Sequence, residues 1–328
     1  MRILTTLDYE VFLGEETGSV TNNLIIPLNK LTSVADNYGI KFSLFVDASY
    51  IYMLKKLGDK YLKLKNDYDN ICVNLNKLSN EGNDIELHIH PHWFFSTFNG
   101  DKWITDSSHY KLSDLKKNEA EEIFSKTKKL LEEITGKKII AFRAGGFSAQ
   151  PTDLLTPLFR KNNIKADCSV YSGAYYNSQS QQYDYRKTCD KELYTFSNDI
   201  CKEDLNGDFT EIPISTLNIS PCFYWKLASR KIIGIKSDRK WGDGISVKTS
   251  SESIISRLTK KSNAMATIDG YKISYLPRLC DLRKKGGINL TTIIGHPKLA
   301  TRYSVKKFAD FCKLYSKDDN FVTIKDLL

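Results

Sequence analysis

Three of the five histidines of this chain lie within one short stretch, ELHIHPHW, at His88, His90 and His92. Pro91 disfavours a helical conformation in the residue before it, so this backbone is predicted to be extended. In an extended run the three imidazoles point to one side, whereas a turn at Pro91 would re-aim His92 and leave the outer pair as ligands. Either geometry suits zinc or a similar divalent metal. The alternative is a polar, hydrogen-bonded strand end without a metal.

Other ionisable residues stand at the ends of further predicted strands. Asp8 and Glu10 follow the first strand, Arg143 and Asp167 lie on strands in the middle of the chain, and His296 ends the penultimate strand. In a barrel of parallel strands and outer helices, the forward ends of the strands share one face. Side chains that are distant in sequence are therefore expected to meet in one pocket.

The elements that would position these residues alternate between strands and helices. Strands are predicted at 2–7, 41–48, 84–89, 137–143, 164–170, 210–216, 288–296 and 321–324, and helices at 23–37, 113–135, 152–163, 251–261, 271–285 and 304–315. This alternation is typical of a parallel sheet, and more than six units indicate a closed or nearly closed barrel. Two irregular stretches, 171–208 and 219–247, are interpreted as functional loops inserted in a single domain, 1–328.

The composition is typical of a globular protein with a large folded core. The chain has 328 residues, 41% hydrophobic residues and a formal charge of +9, values that allow a large folded core. The basic balance favours anionic glycans, nucleotide-linked sugars or a membrane surface, and no nucleic-acid-binding module is recognisable. The 7 cysteines form no CxxC pair, and no apolar run is long enough to span a bilayer. Together these features predict a protein of the reducing cytoplasm without a transmembrane segment.

Five short motifs then point to a family. LDYE, HIHPH, FRAGG, the strand that carries Asp167, and IIGH follow one another between Leu4 and His296. In order and spacing they resemble the five motifs of NodB-like polysaccharide deacetylases, carbohydrate esterase family 4. The resemblance implies a distorted (β/α)7 barrel with long loop insertions, and a divalent metal held by a His-x-x-x-His pair and one carboxylate. It also implies hydrolysis of N-acetyl groups on a sugar or glycan.

Residue by residue, the resemblance assigns the metal-binding histidine pair to His88 and His92. The acidic residues of the first motif fall on Asp8 and Glu10, which are separated by one residue where the family has adjacent aspartates. We assign Asp8 as the general base and Glu10 as the third metal ligand, with zinc as the favoured metal. His90 is interpreted as a structural imidazole or one that positions a ligand, with a fourth metal ligand as the alternative.

The remaining roles follow from the chemistry of amide hydrolysis. His296 would protonate the departing amine as general acid, and Asp167 would hold that histidine in its protonated form. Arg143 would orient the base through a charge-assisted hydrogen bond, although a purely structural salt bridge is its alternative role. After this arginine the chain has Ala-Gly-Gly-Phe, where the family has a proline and an aromatic residue.

Two other functions remain open at this point. The same superfamily includes allantoinase-like enzymes, which hydrolyse a C–N bond outside sugars. A catalytically silent barrel that only binds glycans is the other alternative. Measuring acetate release against ureide hydrolysis would separate the two enzymes, and neither activity would be found in the silent barrel.

Overall fold

The structure is a computed structural model that describes residues 1–14, 16–246 and 250–328. The strands are β1 Arg2–Tyr9, β2 Ser43–Asp47, β3 Asp84–Ile89, β4 Thr97–Phe98, β5 Trp103–Ile104, β6 Ala141–Ala144, β7 Ala166–Asp167, β8 Tyr175–Asn177, β9 Gln182–Asp184, β10 Tyr194–Phe196, β11 Phe209–Glu211, β12 Thr216–Ile219, β13 Ser262–Met265, β14 Leu290–Gly295 and β15 Asn320–Val322. The α-helices are α1 Ile26–Asp36, α2 Ala48–Gly58, α3 Leu62–Asn80, α4 Lys117–Thr135, α5 Thr152–Asn162, α6 Pro221–Ile233, α7 Ser251–Thr259, α8 Leu276–Lys285 and α9 Arg302–Tyr315.

A parallel ladder forms the centre of the fold. It runs in the order β11, β7, β6, β3, β2, β1 and β14, and each neighbouring pair in it is parallel. Strand β10 adds to β11 in the antiparallel sense, and β15 pairs with the first residues of β1. Helices follow most of the ladder strands, as the alternating pattern predicts.

The two ends of this ladder approach each other and close the barrel irregularly. Beyond β11, the amide of Ser215 donates to the carbonyl of Thr292 on β14 at 3.0 Å. Further along, the segment 266–268 is wedged between them: Ala266 donates to Ser215, and Ile268 donates to Ile294. The predicted distorted barrel is therefore observed, with its seam at β11 and β14.

The barrel interior is apolar at the amino ends of the strands and polar at the carboxyl ends. The apolar cluster at the amino ends consists of Leu4, Phe45, Ala141, Ala166, Cys168, Ile212, Leu290 and Ile324. Ile324 belongs to a 3-10 turn, Ile324–Asp326, that covers this end. A larger apolar layer packs the helices on the outside of the sheet. Because apolar side chains fill the amino end, a polar site in the barrel lies at the carboxyl ends of the strands.

The two irregular stretches are more ordered than the sequence indicates. The 171–208 stretch contains the β8–β9 hairpin and β10, and the 219–247 stretch contains α6, although Val247 lies outside the described residues. The predicted helix at 113–135 begins later, at Lys117, and the predicted helix at 271–285 opens with a 3-10 turn, Gly270–Tyr275. Among the described residues, no helix has the length and apolarity needed to cross a membrane.

Candidate metal and catalytic centre

The carboxyl ends of four ladder strands bring ionisable side chains together. Asp8 and Glu10 come from the end of β1, the first two histidines of the cluster from the end of β3, and Arg143 from β6. His296 follows the last residue of β14. Alternate residues of a strand face the same side, so Asp8 and Glu10 both point inward, as do His88 and His90. The predicted convergence of these strand ends is therefore present in the fold.

Glu10, His88 and His90 form a compact group of possible ligand atoms. Oε2 of Glu10 lies 2.7 Å from Nε2 of His90 and 3.5 Å from Nε2 of His88. The two imidazole nitrogens are 2.9 Å apart. All three side chains are buried.

The orientation of His88 is fixed by its other nitrogen. Its Nδ1 lies 2.8 Å from the carbonyl oxygen of Arg143, which can only accept a hydrogen bond. Nδ1 must therefore carry the proton in the neutral ring, and Nε2 presents its lone pair to Glu10 and His90. Metal-binding histidines are typically held in this way.

His90 fits its position because the neighbouring strand has a glycine there. A Cβ atom at Gly145 would lie 2.7 Å from Nδ1 of His90 and 2.6 Å from the carbonyl oxygen of Ile89. The next residue, Gly146, has φ +57°, a left-handed conformation that glycine adopts without strain. The glycine pair of the FRAGG motif therefore makes room for the imidazole and turns the chain at the edge of the cavity.

The structure does not bring His92 into this group. Strand β3 ends at Ile89, and a 3-10 turn begins at Pro91, which directs the His92 ring onto Tyr110 at a centroid distance of 5.3 Å. Burial lowers the pKa of His92 to about 3, so its ring is neutral. Among the described residues, neither ring nitrogen has a hydrogen-bond partner. The predicted His88–His92 pair is thus replaced, in this geometry, by His88 and His90.

Asp8 and Arg143 form a buried ion pair, the contact that the sequence predicts. Nη1 of Arg143 donates to Oδ1 of Asp8, while its other nitrogens donate to Thr6 Oγ1 at 3.0 Å and to the Cys168 carbonyl at 2.9 Å. The guanidinium is fully buried. Three fixed acceptors hold the arginine, and the arginine in turn holds Asp8 with Oδ2 turned toward His296, whose Nε2 lies 3.7 Å away.

The partner of His296 is Asp269, not the predicted Asp167. Nδ1 of His296 lies 2.8 Å from one oxygen of Asp269, and its backbone amide donates to the other at 2.8 Å. Burial alone would lower the pKa of His296, but the charge and hydrogen bond of Asp269, with contributions from Asp8 and Glu10, raise it above its ordinary value. The pKa of Asp269 is lowered, because the imidazolium outweighs the effect of burial.

Asp167 lies behind this site rather than in it. It accepts hydrogen bonds from the amide and hydroxyl of Ser169, and it is paired in register with Glu211 on β11. Burial raises the pKa of Asp167 to about 6 and that of Glu211 well above its usual range. The two adjacent carboxyls therefore resist carrying two negative charges, and Asp167 makes its contacts inside the sheet.

Lys298 is a charged member of the site that sequence reasoning missed. Its Nζ donates to Oε1 of Glu10 at 2.9 Å and to the carbonyl of Val11 at 2.8 Å. Burial would raise the pKa of Glu10, but Lys298, His90 and His88 outweigh it and hold that pKa well below its usual range. Glu10 is therefore ionised, with Oε1 held by the lysine and Oε2 directed at the imidazoles.

The donor set fits a divalent metal such as zinc. Zinc binds imidazole nitrogen and carboxylate oxygen at about 2.0–2.2 Å, which separates the donors of a tetrahedral site by about 3.3–3.5 Å. The three donor atoms here are 2.7, 2.9 and 3.5 Å apart, so one pair matches this separation and the two pairs that include His90 are shorter than it. Oε2 of Glu10 is also buried with no hydrogen-bond partner among the described residues, a state that a bound cation would relieve. Asp8, Glu10 and His296 form a second, overlapping group.

A cavity of about 210 Å³ opens directly onto these residues. It is lined by Asp8, Glu10, His88, His90 and His296 together with Tyr110, Gly146, Phe147, Gln181 and Lys298. Sites that enclose a whole drug-sized ligand are larger, about 300–1,000 Å³. This cavity is therefore suited to the reacting group of a substrate, with the remainder of the molecule lying outside.

The Asp269–His296 pair predicts how activity depends on pH. If His296 acts as a protonated acid, activity is lost as the pH rises through its pKa, which Asp269 raises. Asp269→Asn removes that negative charge, so we expect the alkaline limb of kcat/KM to move to lower pH by roughly one unit or more. A pH–rate profile measures the shift, with Asp208→Asn, at an exposed ion pair with Arg160, as the matched control. An unmoved limb would show that Asp269 does not tune the acid.

Comparison with known proteins identifies solved structures with a similar fold. No protein-family model and no curated protein sequence matches the chain. A crystal structure from Mycobacterium smegmatis, of a protein described as a polysaccharide deacetylase, matches with a TM-score of 0.51 at 12% identity, over 99% of this chain and 88% of that chain. A 4-α-glucanotransferase from Thermococcus litoralis matches with a TM-score of 0.50 at 12% identity, over 99% of this chain and 40% of that one. An allantoinase structure gives 0.49 at 11% identity, over 99% and 88%.

The class of fold follows from the match to the Mycobacterium smegmatis structure and from the strand order. The chain has an α/β barrel of the NodB-like polysaccharide-deacetylase kind, and the fold that the five motifs imply is confirmed. At 12% identity the likeness concerns the fold. What the site does must be argued from its own residues.

Proposed function

We propose that this protein is a metal-dependent hydrolase that removes an N-acetyl group from a sugar or glycan. The observation that carries the proposal is the convergence of Glu10, His88 and His90 on one point, beside a carboxylate and a histidine that face the same cavity. The deacetylase-type fold supports the same reaction. Two imidazoles and one carboxylate favour zinc.

The roles of the metal and its ligands follow from this arrangement. A divalent metal held by Glu10, His88 and His90 would supply a Lewis acid for the acetyl carbonyl and would lower the pKa of a water molecule from about 16 toward about 7. Lys298 fixes Glu10 through Oε1 and leaves Oε2 available, since it holds only the first of the two oxygens. The ligand set of the proposal therefore contains His90 in place of His92.

Asp8 and His296 divide the proton transfers between them. Arg143 occupies Oδ1 of Asp8, so Oδ2 is the oxygen that can accept the proton of an attacking water. Asp269 holds Nδ1 of His296, so the proton on Nε2 faces the cavity and can pass to the departing amine. A base and an acid on neighbouring strand ends are what amide hydrolysis needs, because one proton is removed from the nucleophile and one is added to the leaving group.

The proposal is tested by acetate release. Zinc-loaded protein is expected to release acetate from N-acetylated amino sugars or their oligomers, and to lose this activity after treatment with a chelator. Asp8→Asn is the matched variant: it should retain zinc, because Asp8 is not in the proposed ligand set, while acetate release falls. Enzymatic acetate detection and elemental analysis of the purified protein provide the two measurements.

Each remaining outcome favours an alternative. Hydrolysis of allantoin without acetate release would favour a C–N hydrolase of the allantoinase kind. Glycan binding by the zinc-loaded protein, with no acetate from any N-acetylated sugar, would favour a binding barrel. Loss of zinc in Asp8→Asn would show that Asp8 and Glu10 have exchanged the roles proposed for them.

A further inference from the structure

The segment 221–261, called here the 221–261 insertion, leaves the barrel, and the structure describes its residues 221–246 and 250–261. Strands β12 and β13 pair in the antiparallel sense, with Ile219 opposite Ser262, so the chain leaves and returns at one point. Between these residues lie α6 and α7, which contact each other: the indole nitrogen of Trp225 donates to the carbonyl of Leu258 at 3.0 Å. Neither helix contributes a ligand or a proton-transfer group to the site.

The insertion carries most of the net charge of the protein. Residues 221–261 contain ten lysines and arginines against three acidic residues, an excess of seven positive charges where the whole chain has a formal charge of +9. Two of the three acids are engaged locally: Asp238 pairs with Arg230, and Asp243 accepts from Ser19 and Asn22. The exposed cations include Lys226, Lys231, Lys236, Arg239, Lys260 and Lys261.

The same insertion exposes large apolar side chains. Ile232 and Ile233, adjacent at the end of α6, are 85% and 74% exposed, and Trp225 is 59% exposed. Ile254 and Ile255 on α7 are exposed as well. Single exposed apolar residues are common on proteins, but adjacent isoleucines flanked by lysines are the combination found in helices that lie at a membrane surface.

We propose that the 221–261 insertion docks onto the surface of an anionic lipid bilayer. Charge complementarity selects this partner, because each lysine near an anionic membrane contributes attraction, and the isoleucines can enter the boundary between headgroups and acyl chains. Tryptophan is enriched at the same depth. A nucleic acid would take up the cations but would offer no apolar layer for Ile232 and Ile233.

The docking surface lies beside the candidate catalytic centre. The ring of Phe223 on α6 stacks on Tyr271 at 5.4 Å, in the 3-10 turn that directly follows Asp269. Between α6 and α7, Ser246 lines the same cavity as Asp8 and His296. A membrane bound to the insertion therefore brings the cavity close to the lipid surface. This inference rests on charge and exposure, and it does not depend on the proposed reaction.

The test is sedimentation of the full-length protein with lipid vesicles. We expect binding to vesicles of equal parts phosphatidylcholine and phosphatidylglycerol, weak binding to phosphatidylcholine alone, and weakening by salt. The double variant Ile232→Ser with Ile233→Ser should bind the anionic vesicles at least about tenfold more weakly, since two apolar side chains are lost. Lys231→Gln and Lys236→Gln should each weaken binding about fivefold.

Matched controls separate the insertion from the rest of the surface. Leu205→Ser removes an apolar side chain that is 83% exposed, and Lys202→Gln removes a cation whose side chain is 80% exposed. Both should bind as the unmodified protein does. Thermal unfolding and acetate release from a soluble sugar should be unchanged in the isoleucine variant, because neither isoleucine touches the cavity.

Four results would overturn the proposal. The first is no sedimentation of the unmodified protein with the anionic vesicles, and the second is equal binding by the isoleucine variant. The third is self-association of the unmodified protein, measured by analytical ultracentrifugation, that is lost in the isoleucine variant although no vesicles are bound. That result would make this face a contact between two copies of the chain. Binding to duplex DNA in place of vesicles would likewise replace the lipid surface as the partner.

Discussion

Replacing His90 by alanine is expected to remove zinc from the protein, whereas replacing His92 by alanine is expected to leave zinc bound. Nε2 of His90 lies 2.7 Å from Oε2 of Glu10, while the His92 ring is turned onto Tyr110. Structural zinc sites with about four ligands bind with about 10–16 kcal/mol, so losing one ligand should weaken affinity by roughly 100-fold or more. Competition with a chromophoric zinc chelator measures the affinity of each variant.

The His92→Ala variant is the matched control for His90→Ala. Both histidines are buried, they are two residues apart, and both replacements remove an imidazole from the same loop. Circular dichroism and thermal unfolding show whether each variant folds, and His88→Ala provides a second variant from which zinc loss is expected. Zinc loss in His92→Ala with retention in His90→Ala would restore the ligand pair that the sequence resemblance assigns.

The sequence alone could not decide which histidine accompanies His88 in the proposed ligand set. The spacing in HIHPH allows an extended run or a turn at Pro91, and both bring imidazoles to a metal. Proline is favoured at the first position of a helical turn, and here it starts the turn that carries His92 away. Asp47 then anchors that turn by accepting a hydrogen bond from the Trp93 indole at 2.7 Å, a contact between two strand ends that local pattern cannot reveal.

The convergence at the barrel mouth was predictable for a different reason. Polar residues directly after apolar strands are visible in the sequence, and the topology of a parallel barrel carries every such strand end to one face. Asp8, Glu10, His88, Arg143 and His296 were all predicted in this way, because each one follows or ends a recognisable strand.

Asp269 and Lys298 were missed because their environments are created by tertiary contacts. The segment 266–268 before Asp269 is extended only because it is wedged between Ser215 and β14, at the seam of the barrel. Lys298 follows a proline, and a lysine there is ordinarily solvated, yet a short turn, Pro297–Leu299, directs it back to Glu10. The alternation in ATI, directly before Asp269, was the available signal, and it is too short to predict a strand.

Asp167 was predicted as a site residue, but it does not line the cavity. Its position on a strand in the right order suggested a site residue, but strand β7 is only two residues long, and Asp167 pairs with Ser169 and Glu211. A shift of one residue along a strand reverses the face to which a side chain points. Motif order alone could therefore place the strand but not the direction of its carboxylate.

His296→Ala is expected to lower kcat for an acetamide by roughly 10²–10⁴-fold, the usual contribution of a general acid or base. The loss should be much smaller for an acetyl ester with a good leaving group, such as a nitrophenyl acetate, because that group departs without a proton. Zinc content should be unchanged, since Nε2 of His296 is 3.8 Å from Oε1 of Glu10, outside the closer group formed with His88 and His90.

The comparison between the two substrates distinguishes proton donation from a general loss of structure. Asp269 engages Nδ1 of His296, so only Nε2 can reach the leaving group, and the deficit should follow the basicity of that group across a series of acetylated amines and phenols. His296→Gln, which keeps a hydrogen-bond donor but has no titrating proton, is expected to share the dependence on leaving group. Equal losses for amide and activated ester would assign His296 to substrate binding rather than to acid catalysis, because a binding contact serves both substrates alike.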